Sequence, residues 1–294
     1  MKRVGLTLLP RNIQDLLRQV SAFADTQGVR AYLVGGMVRD LLLGMQSTDI
    51  DIVVEGDACI VARHWADKLG AELSLHEKFR TAALTFKDGL IIDVVTARRE
   101  TYARGGALPD IVPSSLKDDI LRRDFKINGM ALGLNVNDFG ILYDHAGGLK
   151  DLEAKLIRVL HSGSFVDDPT RILRAARYAV RFGFQLDALT HDLLGEAVRV
   201  DVFKTITAPR YFLELRRILE EKDPVPALDF LLSWDALRYI SYGVAERVRL
   251  IEAGVTGWET RLGILLSGLA PLKAQEIMMG FNIPRPSQRI IVRG

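Results

Sequence analysis

The run at residues 32–55, YLVGGMVRDLLLGMQSTDIDIVVE, constrains the fold more than any other part of the sequence. The three apolar residues 32–34 predict a short buried strand, and the glycine pair after them predicts a tight turn at its end. Residues 37–43 predict a helix that ends at Gly44. A second strand is predicted over 48–54, where polar and apolar residues alternate. Asp49 and Asp51 therefore point to one sheet face and their apolar neighbours to the other.

Two carboxylates on one strand face repel each other, and a cation between them removes that cost. A hard divalent ion with oxygen ligands fits this role best, and we predict Mg²⁺ held by Asp49 and Asp51. Gly35 and Gly36 let the backbone approach a ligand closely, and the amides that open the next helix favour an anion. A metal, a phosphate and a glycine turn together indicate nucleotide chemistry.

The motif Gly-Gly-x-Val-Arg-Asp at 35–40, followed by Asp-x-Asp at 49–51, resembles the head domain of the class II tRNA nucleotidyltransferase and bacterial poly(A) polymerase family. That family belongs to the polymerase-β-like nucleotidyltransferases. The resemblance implies that Asp49 and Asp51 are the catalytic metal ligands and that Gly36 and Arg39 cradle a triphosphate. Whether Asp93, a charge in the apolar run 90–95, is a third ligand stays open.

Length and composition limit the other possibilities. A chain of 294 residues can form two or more domains, and 48% hydrophobic with 26% charged residues is ordinary for a soluble globular protein. The net charge of +2 means that affinity for RNA has to come from local clusters of Arg and Lys. A single cysteine excludes an internal disulfide framework, and no apolar stretch is long enough to cross a membrane. We therefore predict a cytoplasmic protein without a membrane partner.

The N-terminal half predicts a mixed β-sheet backed by helices. Helices are predicted over 12–27 and from an Asp57 cap to residue 69, and strands over 81–86 and 90–95, joined through Asp88-Gly89. Residues 96–115 are rich in Gly, Pro and polar residues and predict an exposed loop. The resemblance implies that this loop takes part in the change from adding C to adding A, where its arginines could meet triphosphate or RNA.

The run LRRDFKINGMA at 121–131 is a second signature of the same family. Arg122 and Arg123 offer forked donors that suit triphosphate oxygens or a ribose, and Asp124 can hold one of them in place. Asn128 lies among apolar residues, and we expect this amide to fix the local backbone rather than contact substrate.

The run FVDDPTRILRAARYAVRFGF at 165–184 predicts a helix that ends at Gly183. Cytosine and adenine each present an amino donor beside a ring-nitrogen acceptor, whereas uracil and guanine present a carbonyl beside an N–H. A fixed acceptor at Asp168 next to a fixed donor at Arg171 thus pairs with C or A. The run also resembles the family's Glu-Asp-x-x-Arg motif, with Asp167 as its first acid. This resemblance implies that Asp168 and Arg171 read the base and that Arg174 and Arg177 support the nucleotide.

The predicted class is α+β: an N-terminal mixed-sheet nucleotidyltransferase head backed by helices, followed by an all-α neck and body. We expect the head over residues 1–135, the neck with the base-reading helix over 136–200, and an RNA-binding helical body over 201–294 with a short or missing tail. Arg210, Glu214 and Arg217 in that body resemble a family segment, and a salt-bridged helix surface explains them equally well. Oligomeric state stays open.

The predicted reaction is template-independent transfer of CMP, AMP or both from CTP and ATP to the 3′ end of tRNA, with release of pyrophosphate. Whether C, A or the whole CCA is added stays open. A bacterial poly(A) polymerase is the alternative, although this chain has Lys-Phe-Arg at 78–80 where that branch has Gly-Arg-Arg-Phe. An inactive RNA-binding module on the same fold is the alternative from another class.

Overall fold

The computed structural model describes residues 2–237, 240, 243–252 and 254–292. The chain divides into two compact units. The first comprises residues 1–101 and 109–160, and the second residues 102–108 and 161–294. The sequence predicts a head that ends at residue 135, whereas residues 136–160 pack with the first unit. Among the described residues, no helix combines the length and the apolar character that crossing a membrane requires.

The first unit contains short helices and most of the strands. Its helices are α1 (Arg11–Thr26), α2 (Gly36–Leu42), α3 (Ala58–Leu69), α4 (Leu116–Leu121) and α5 (Gly148–Glu153). Its strands are β1 (Arg30–Val34), β2 (Ile50–Glu55), β3 (Glu72–His76), β4 (Thr81–Thr85), β5 (Ile91–Thr96), β6 (Arg98–Thr101), β7 (Asp110–Pro113), β8 (Ala131–Gly133), β9 (Leu142–Tyr143) and β10 (Leu156–Ile157).

Seven of these strands form one mixed sheet in the order β3-β4-β5-β2-β1-β8-β9. The β2–β5 pair is parallel, and the other described pairs in this sheet are antiparallel. Ile52 and Val94 are fully buried on one face, and α1 and α3 pack against the sheet. On the other face, α4 inserts Leu116 and Ile120 into a cluster with Tyr32 and Val53. The α+β class with a mixed sheet backed by helices is confirmed.

Local signals explain where several elements begin and end. Asp57 caps α3, because its Oδ1 accepts hydrogen bonds from the amides of Cys59 and Ile60. Gly70 ends the same helix in the left-handed region. The predicted β4–β5 hairpin also forms, with Gly89 at a φ of 87° in its turn.

Three local expectations need correction. The second predicted strand begins at Ile50 rather than at residue 48, so Asp49 lies just before it. Residues 96–115 are not a loop throughout, because β6 and β7 pair as a two-stranded sheet. The edge strand β3 was not predicted.

The second unit is built mainly of helices. Its elements are α6 (Ser164–Asp167), α7 (Thr170–Phe182), β11 (Gln185–Leu186), α8 (Ala188–Arg199), α9 (Ala208–Leu219), α10 (Val225–Ser233), α11 (Val244–Val248), α12 (Trp258–Leu266), α13 (Pro271–Gly280) and α14 (Arg285–Ile291). Helix α7 buries Ile172, Leu173 and Ala176, and it packs against α9 and α10. Gly183 ends it in the left-handed region, as the sequence predicts.

Candidate active site

Three carboxylates meet on the sheet face that α1 and α3 leave uncovered. Strands β2 and β5 run parallel in a register that sets Asp51 directly opposite Asp93. Asp49 lies two residues before Asp51, and oxygens of all three side chains lie within 4.8 Å of one another. Asp93, whose role the sequence left open, thus belongs to the same cluster as Asp49 and Asp51.

The cluster carries an unfavourable concentration of negative charge. The pKa of Asp51 is raised to about 6, chiefly by burial and then by the Asp49 carboxylate; Asp93 also raises it, whereas Arg123 lowers it. Burial and Asp49 also raise the pKa of Asp93, which His76 lowers. Carboxylates placed directly opposite in a sheet destabilise it, and a divalent cation bound by their oxygens removes that repulsion. The donor set therefore fits a hard divalent metal ion.

Gly35 lets the exit of β1 pass close to this cluster. Its φ is 73°, a left-handed conformation that glycine adopts without strain. A Cβ at this position would lie 3.0 Å from Arg123 Nη1 and 3.4 Å from Asp51 Oδ2. The glycine turn, the Arg123 guanidinium and the Asp51 carboxylate are thus immediate neighbours.

Arg122 and Arg123 are both fixed by Asp119. Arg122 Nη2 donates to Asp119 Oδ1 at 2.7 Å, and Arg123 Nη2 donates to Asp119 Oδ2 at 2.9 Å. The Asp119 side chain is fully buried, and the two arginines are 18% and 16% exposed. Arg122 also donates to Glu100, an acceptor that it shares with Arg98. Asp119 therefore holds the Arg123 guanidinium beside Asp51 and holds the Arg122 guanidinium between itself and Glu100.

Sequence reasoning missed Asp119 and Glu100. The sequence assigns the holding role to Asp124, whose Oδ1 accepts from the amide of Phe125 and from Asn128 Nδ2. Arg122 and Arg123 follow Asp119 by three and four residues at the end of α4. This helical spacing is a signal that could have identified Asp119. Glu100 carries no such local signal, because it reaches Arg122 from strand β6.

Arg39 lies inside the protein. It is 4% exposed; its Nε donates to Asp40 Oδ1 at 2.8 Å and its Nη1 to Asn128 Oδ1 at 2.6 Å. Gly36 lies beside this guanidinium: a Cβ added at Gly36 would lie 3.5 Å from Arg39 Nη2. Arg39 thus links α2 to the segment that carries Asn128, with its guanidinium close to Gly36. Asn128 is buried and bonded within the protein, as expected of an amide that fixes local structure.

The predicted base-reading residues lie together at the start of α7 in the second unit. Asp168 Oδ1 accepts from the Thr170 amide and hydroxyl and from Arg210 Nη2. Arg171 is 5% exposed, and its Nη1 donates to Ser164 Oγ at 2.6 Å. Both side chains are therefore fixed by neighbours in the protein, as the pairing hypothesis requires.

The remaining arginines of α7 are held by acids of α9 and of the turn after it. Arg174 Nη1 lies 3.4 Å from Glu214 Oε1, and its Nη2 donates to the Tyr178 hydroxyl. Arg177 lies 3.5 Å from Glu221 and stacks on the Tyr178 ring at 4.7 Å. Arg174 and Arg177, which the resemblance assigns to nucleotide support, are therefore part of an ordered ion-pair network.

Comparison with known proteins agrees with this architecture. Residues 31–158 match the family model of the Poly A polymerase head domain. An A-adding tRNA nucleotidyltransferase from Geobacter sulfurreducens is 44% identical over 79% of this chain and 26% of its own length. A solved CCA-adding enzyme, apo form II, superimposes with a TM-score of 0.84 and 36% identity over 99% of this chain and 74% of that one. A Thermotoga maritima CCA-adding enzyme complexed with tRNA gives a TM-score of 0.81 and 35% identity over 99% of this chain and 72% of its own.

The class defined by the fold and the head-domain match is that of nucleotidyltransferases with a polymerase-type head. Within that class, the chain belongs to the class II tRNA nucleotidyltransferase family. It spans 26%, 27% and 56% of the length of the first three curated relatives that it matches.

Proposed function

We propose that this chain transfers CMP, AMP or both from CTP and ATP to the 3′ end of tRNA without a nucleic-acid template and releases pyrophosphate. The observation that carries the proposal is the cluster of Asp49, Asp51 and Asp93 at the parallel pair β2–β5 of a polymerase-type head. The names of relatives support the substrate class, since they include A-adding and CC-adding tRNA nucleotidyltransferases and CCA-adding enzymes.

In the head, Asp49 and Asp51 would hold Mg²⁺, with Asp93 as a third oxygen ligand. A bound Mg²⁺ supplies charge neutralisation at the α-phosphate and activation of the 3′-hydroxyl for in-line attack. Arg123 is fixed by Asp119 beside Asp51 and would meet the triphosphate oxygens, and Arg122 would orient the same group. The glycine turn would let the triphosphate approach the amide of Gly36, and the Arg39 guanidinium beside Gly36 would complete the cradle with its positive charge.

In the second unit, Asp168 and Arg171 would select the base. An acceptor and a donor held rigidly side by side match the amino group and ring nitrogen of C or A and oppose the N–H and carbonyl of U or G. Arg174 and Arg177, held by Glu214 and Glu221, would support the nucleotide from the same helix.

The test is a transfer reaction with two tRNA transcripts, one without its CCA end and one that ends in CC. Labelled CTP and ATP are supplied with Mg²⁺, and products are resolved at single-nucleotide length. We expect addition that stops after one to three nucleotides, and Asp49→Ala with Asp51→Ala should abolish it while the circular dichroism spectrum stays near that of the wild type. A fully active double variant contradicts the metal assignment.

The same reaction decides between the alternatives. Long A tails on either transcript indicate a poly(A) polymerase. RNA binding without metal-dependent transfer indicates an inactive module on the same fold. Addition of A alone, of CC alone or of CCA assigns the chain to one of the three specificities.

A further inference from the structure

The guanidinium group of Arg210, near the start of α9, bridges two parts of the second unit. Its Nη1 donates to the carbonyl oxygen of Gly106 at 2.5 Å, and its Nη2 donates to Asp168 Oδ1 at 3.1 Å. The side chains of Arg210 and Asp168 are 28% and 24% exposed, so both bonds are partly shielded from water. One side chain therefore joins the loop at 102–108 to the carboxylate that we propose reads the base.

The two oxygens of Asp168 have different surroundings. Oδ1 accepts from the Thr170 amide at 3.1 Å and the Thr170 hydroxyl at 2.7 Å, in addition to Arg210. None of the described residues donates to Oδ2. Oδ2 is also not one of the buried side-chain atoms without a partner, so it is exposed to solvent. Three donors leave Oδ1 little capacity for a further bond, so Oδ2 is the oxygen available to a ligand.

The carbonyl that Arg210 contacts is itself fixed in place. Gly106 donates its amide to the carbonyls of Val166 and Asp167, both at 3.1 Å. The φ of Gly106 is 70°, and a Cβ added there would collide with Thr205. A Cβ added to Gly105 would lie 2.8 Å from the carbonyl oxygen of Val166. The backbone of the loop thus occupies a cradle that only glycine fits, and this cradle determines where Arg210 can place its guanidinium.

We propose that Arg210 is a positioning residue for nucleotide selection. It fixes the rotation of the Asp168 carboxylate so that Oδ2 faces the incoming base, and the seated loop fixes Arg210. The inference rests on the proposed function of Asp168. A carboxylate has a broad, two-fold preference about its last torsion, so without Arg210 only Thr170 restrains the Asp168 carboxylate and its rotation is less tightly fixed. Discrimination between bases then depends on a residue that does not itself touch the nucleotide.

The test compares Arg210→Ala and Arg210→Lys with Arg216→Ala as the matched control. Arg216 lies on the same helix, is 46% exposed and pairs with Glu220 on the surface. Equilibrium binding of CTP, ATP and UTP is measured, together with kcat/KM for transfer to the two tRNA transcripts. We expect Arg210→Ala to reduce the preference for CTP over UTP by about tenfold, with Arg216→Ala unchanged. Lysine should restore part of the preference, because its ammonium can reach the carboxylate but lacks the forked geometry that also reaches the loop.

A second pair of variants tests the loop. Gly106→Ala should displace the loop and lower the same preference by less than Arg210→Ala does, because Arg210 can still donate to Asp168 Oδ1. Gly268→Ala is its control, since Gly268 has a φ of 76° and no neighbour that a Cβ would meet. If Arg210→Ala does not fold, Arg210→Lys and Gly106→Ala decide the question.

Wild-type discrimination in all Arg210 and Gly106 variants overturns the inference. Failure of the wild type to extend either tRNA contradicts the proposed function instead, and nucleotide binding still decides the role of Arg210. The two failures are therefore distinguishable.

Discussion

At the scale of single residues, Asp119 is the charge on which the geometry of the head depends. It is fully buried and binds two arginines that approach from the same chain segment. Burial alone would raise the pKa of Asp119, but the guanidinium groups of Arg123 and Arg122 outweigh burial and hold that pKa below its ordinary value. The network therefore stabilises the folded head only while Asp119 is ionised.

Asp119→Asn should lower the free energy of unfolding by about 3 kcal/mol at pH 7, because it leaves two largely buried guanidinium groups without their shared carboxylate. A lowered folded-state pKa contributes stability above the unfolded value, about 3.9, and that stability is lost as pH falls through the folded value. The difference in the free energy of unfolding between Asp119→Asn and the wild type should therefore become smaller in acid. Urea unfolding at pH 7 and near pH 3 measures it.

Glu77→Gln is the control for this prediction, because its pair with Arg63 is exposed. A loss above about 1 kcal/mol in that control would point to a general effect of removing carboxylates. A difference for Asp119→Asn that stays constant with pH would contradict the ionisation argument.

The pKa of Asp51 is shifted in the opposite direction to that of Asp119. Its folded-state pKa of about 6 lies above the unfolded value, so the metal-free protein loses stability as pH rises from about 4 to about 6. Asp51→Asn removes this loss. In EDTA at pH 8 the variant should therefore be more stable than the wild type by about 2 kcal/mol, and the two should converge near pH 4. Denaturant unfolding across this range measures the difference.

Addition of Mg²⁺ supplies the control for Asp51. Ligand that binds the folded state stabilises it, so Mg²⁺ should stabilise the wild type at pH 8 and have little effect on Asp51→Asn. Equal stabilisation of both proteins would mean that the ion binds elsewhere.

At the scale of elements, α7 and α9 are joined by buried ion pairs as well as by apolar packing. Glu214 on α9 is 7% exposed and serves both Arg174 on α7 and Arg217 on its own helix. An acid in this position is costly unless it is paired. The α7 arginines therefore depend on α9 for their orientation.

Glu214→Ala should cost about 3 kcal/mol of stability, because it leaves the Arg174 guanidinium without its buried partner. Glu220→Ala, at the exposed residue that directly follows the same helix, should cost at most about 0.5 kcal/mol. Thermal and urea unfolding of the two variants test this contrast. Equal losses would mean that α9 is sensitive to any lost glutamate, whatever its burial.

The elements that the sequence predicts correctly are those with strong local signals. Asp57 before an apolar periodic run specifies the start of α3, and Asp88-Gly89 specifies the β4–β5 hairpin. The alternation around Asp51 specifies one sheet face, although its pairing with Asp93 needs the parallel register of two strands distant in sequence.

The features that were missed depend on contacts between distant segments. Strands β6 and β7 are only four residues long, and each pairs with the other as a two-stranded sheet. Arg39 belongs to a helix of seven residues, and its burial is made possible by Asn128, 89 positions away. Neither contact leaves a periodic pattern for sequence reasoning to detect.

At the scale of the whole molecule, the two units are interleaved along the chain. Residues 102–108 leave the first unit at the end of β6 and return before β7, and they pack with the second unit. Thr101 and Asp110 are directly opposite each other in the β6–β7 ladder. The ends of the excursion are thus adjacent, so the loop can be replaced by a turn without changing the ladder.

A head fragment, residues 1–160 with 102–109 replaced by Asn-Gly, should fold cooperatively and bind Mg²⁺. A two-residue Asn-Gly turn matches the twist of an antiparallel pair. Circular dichroism with urea unfolding, with and without Mg²⁺, provides the measurement. The Asp49→Ala version of the fragment is the control for binding, and an unfolded fragment would show that the first unit needs the second.

The excursion at 102–108 also sets an order of events during synthesis. Gly106 leaves the ribosome more than fifty residues before Val166 and about a hundred before Arg210, the groups that later hold it. Domains generally fold as they emerge, N-terminal part first, so the sheet can be complete while this short segment still has no place to bind. The first unit, with its carboxylate cluster, can therefore fold before the second unit, which carries Asp168 and Arg171, has been synthesised.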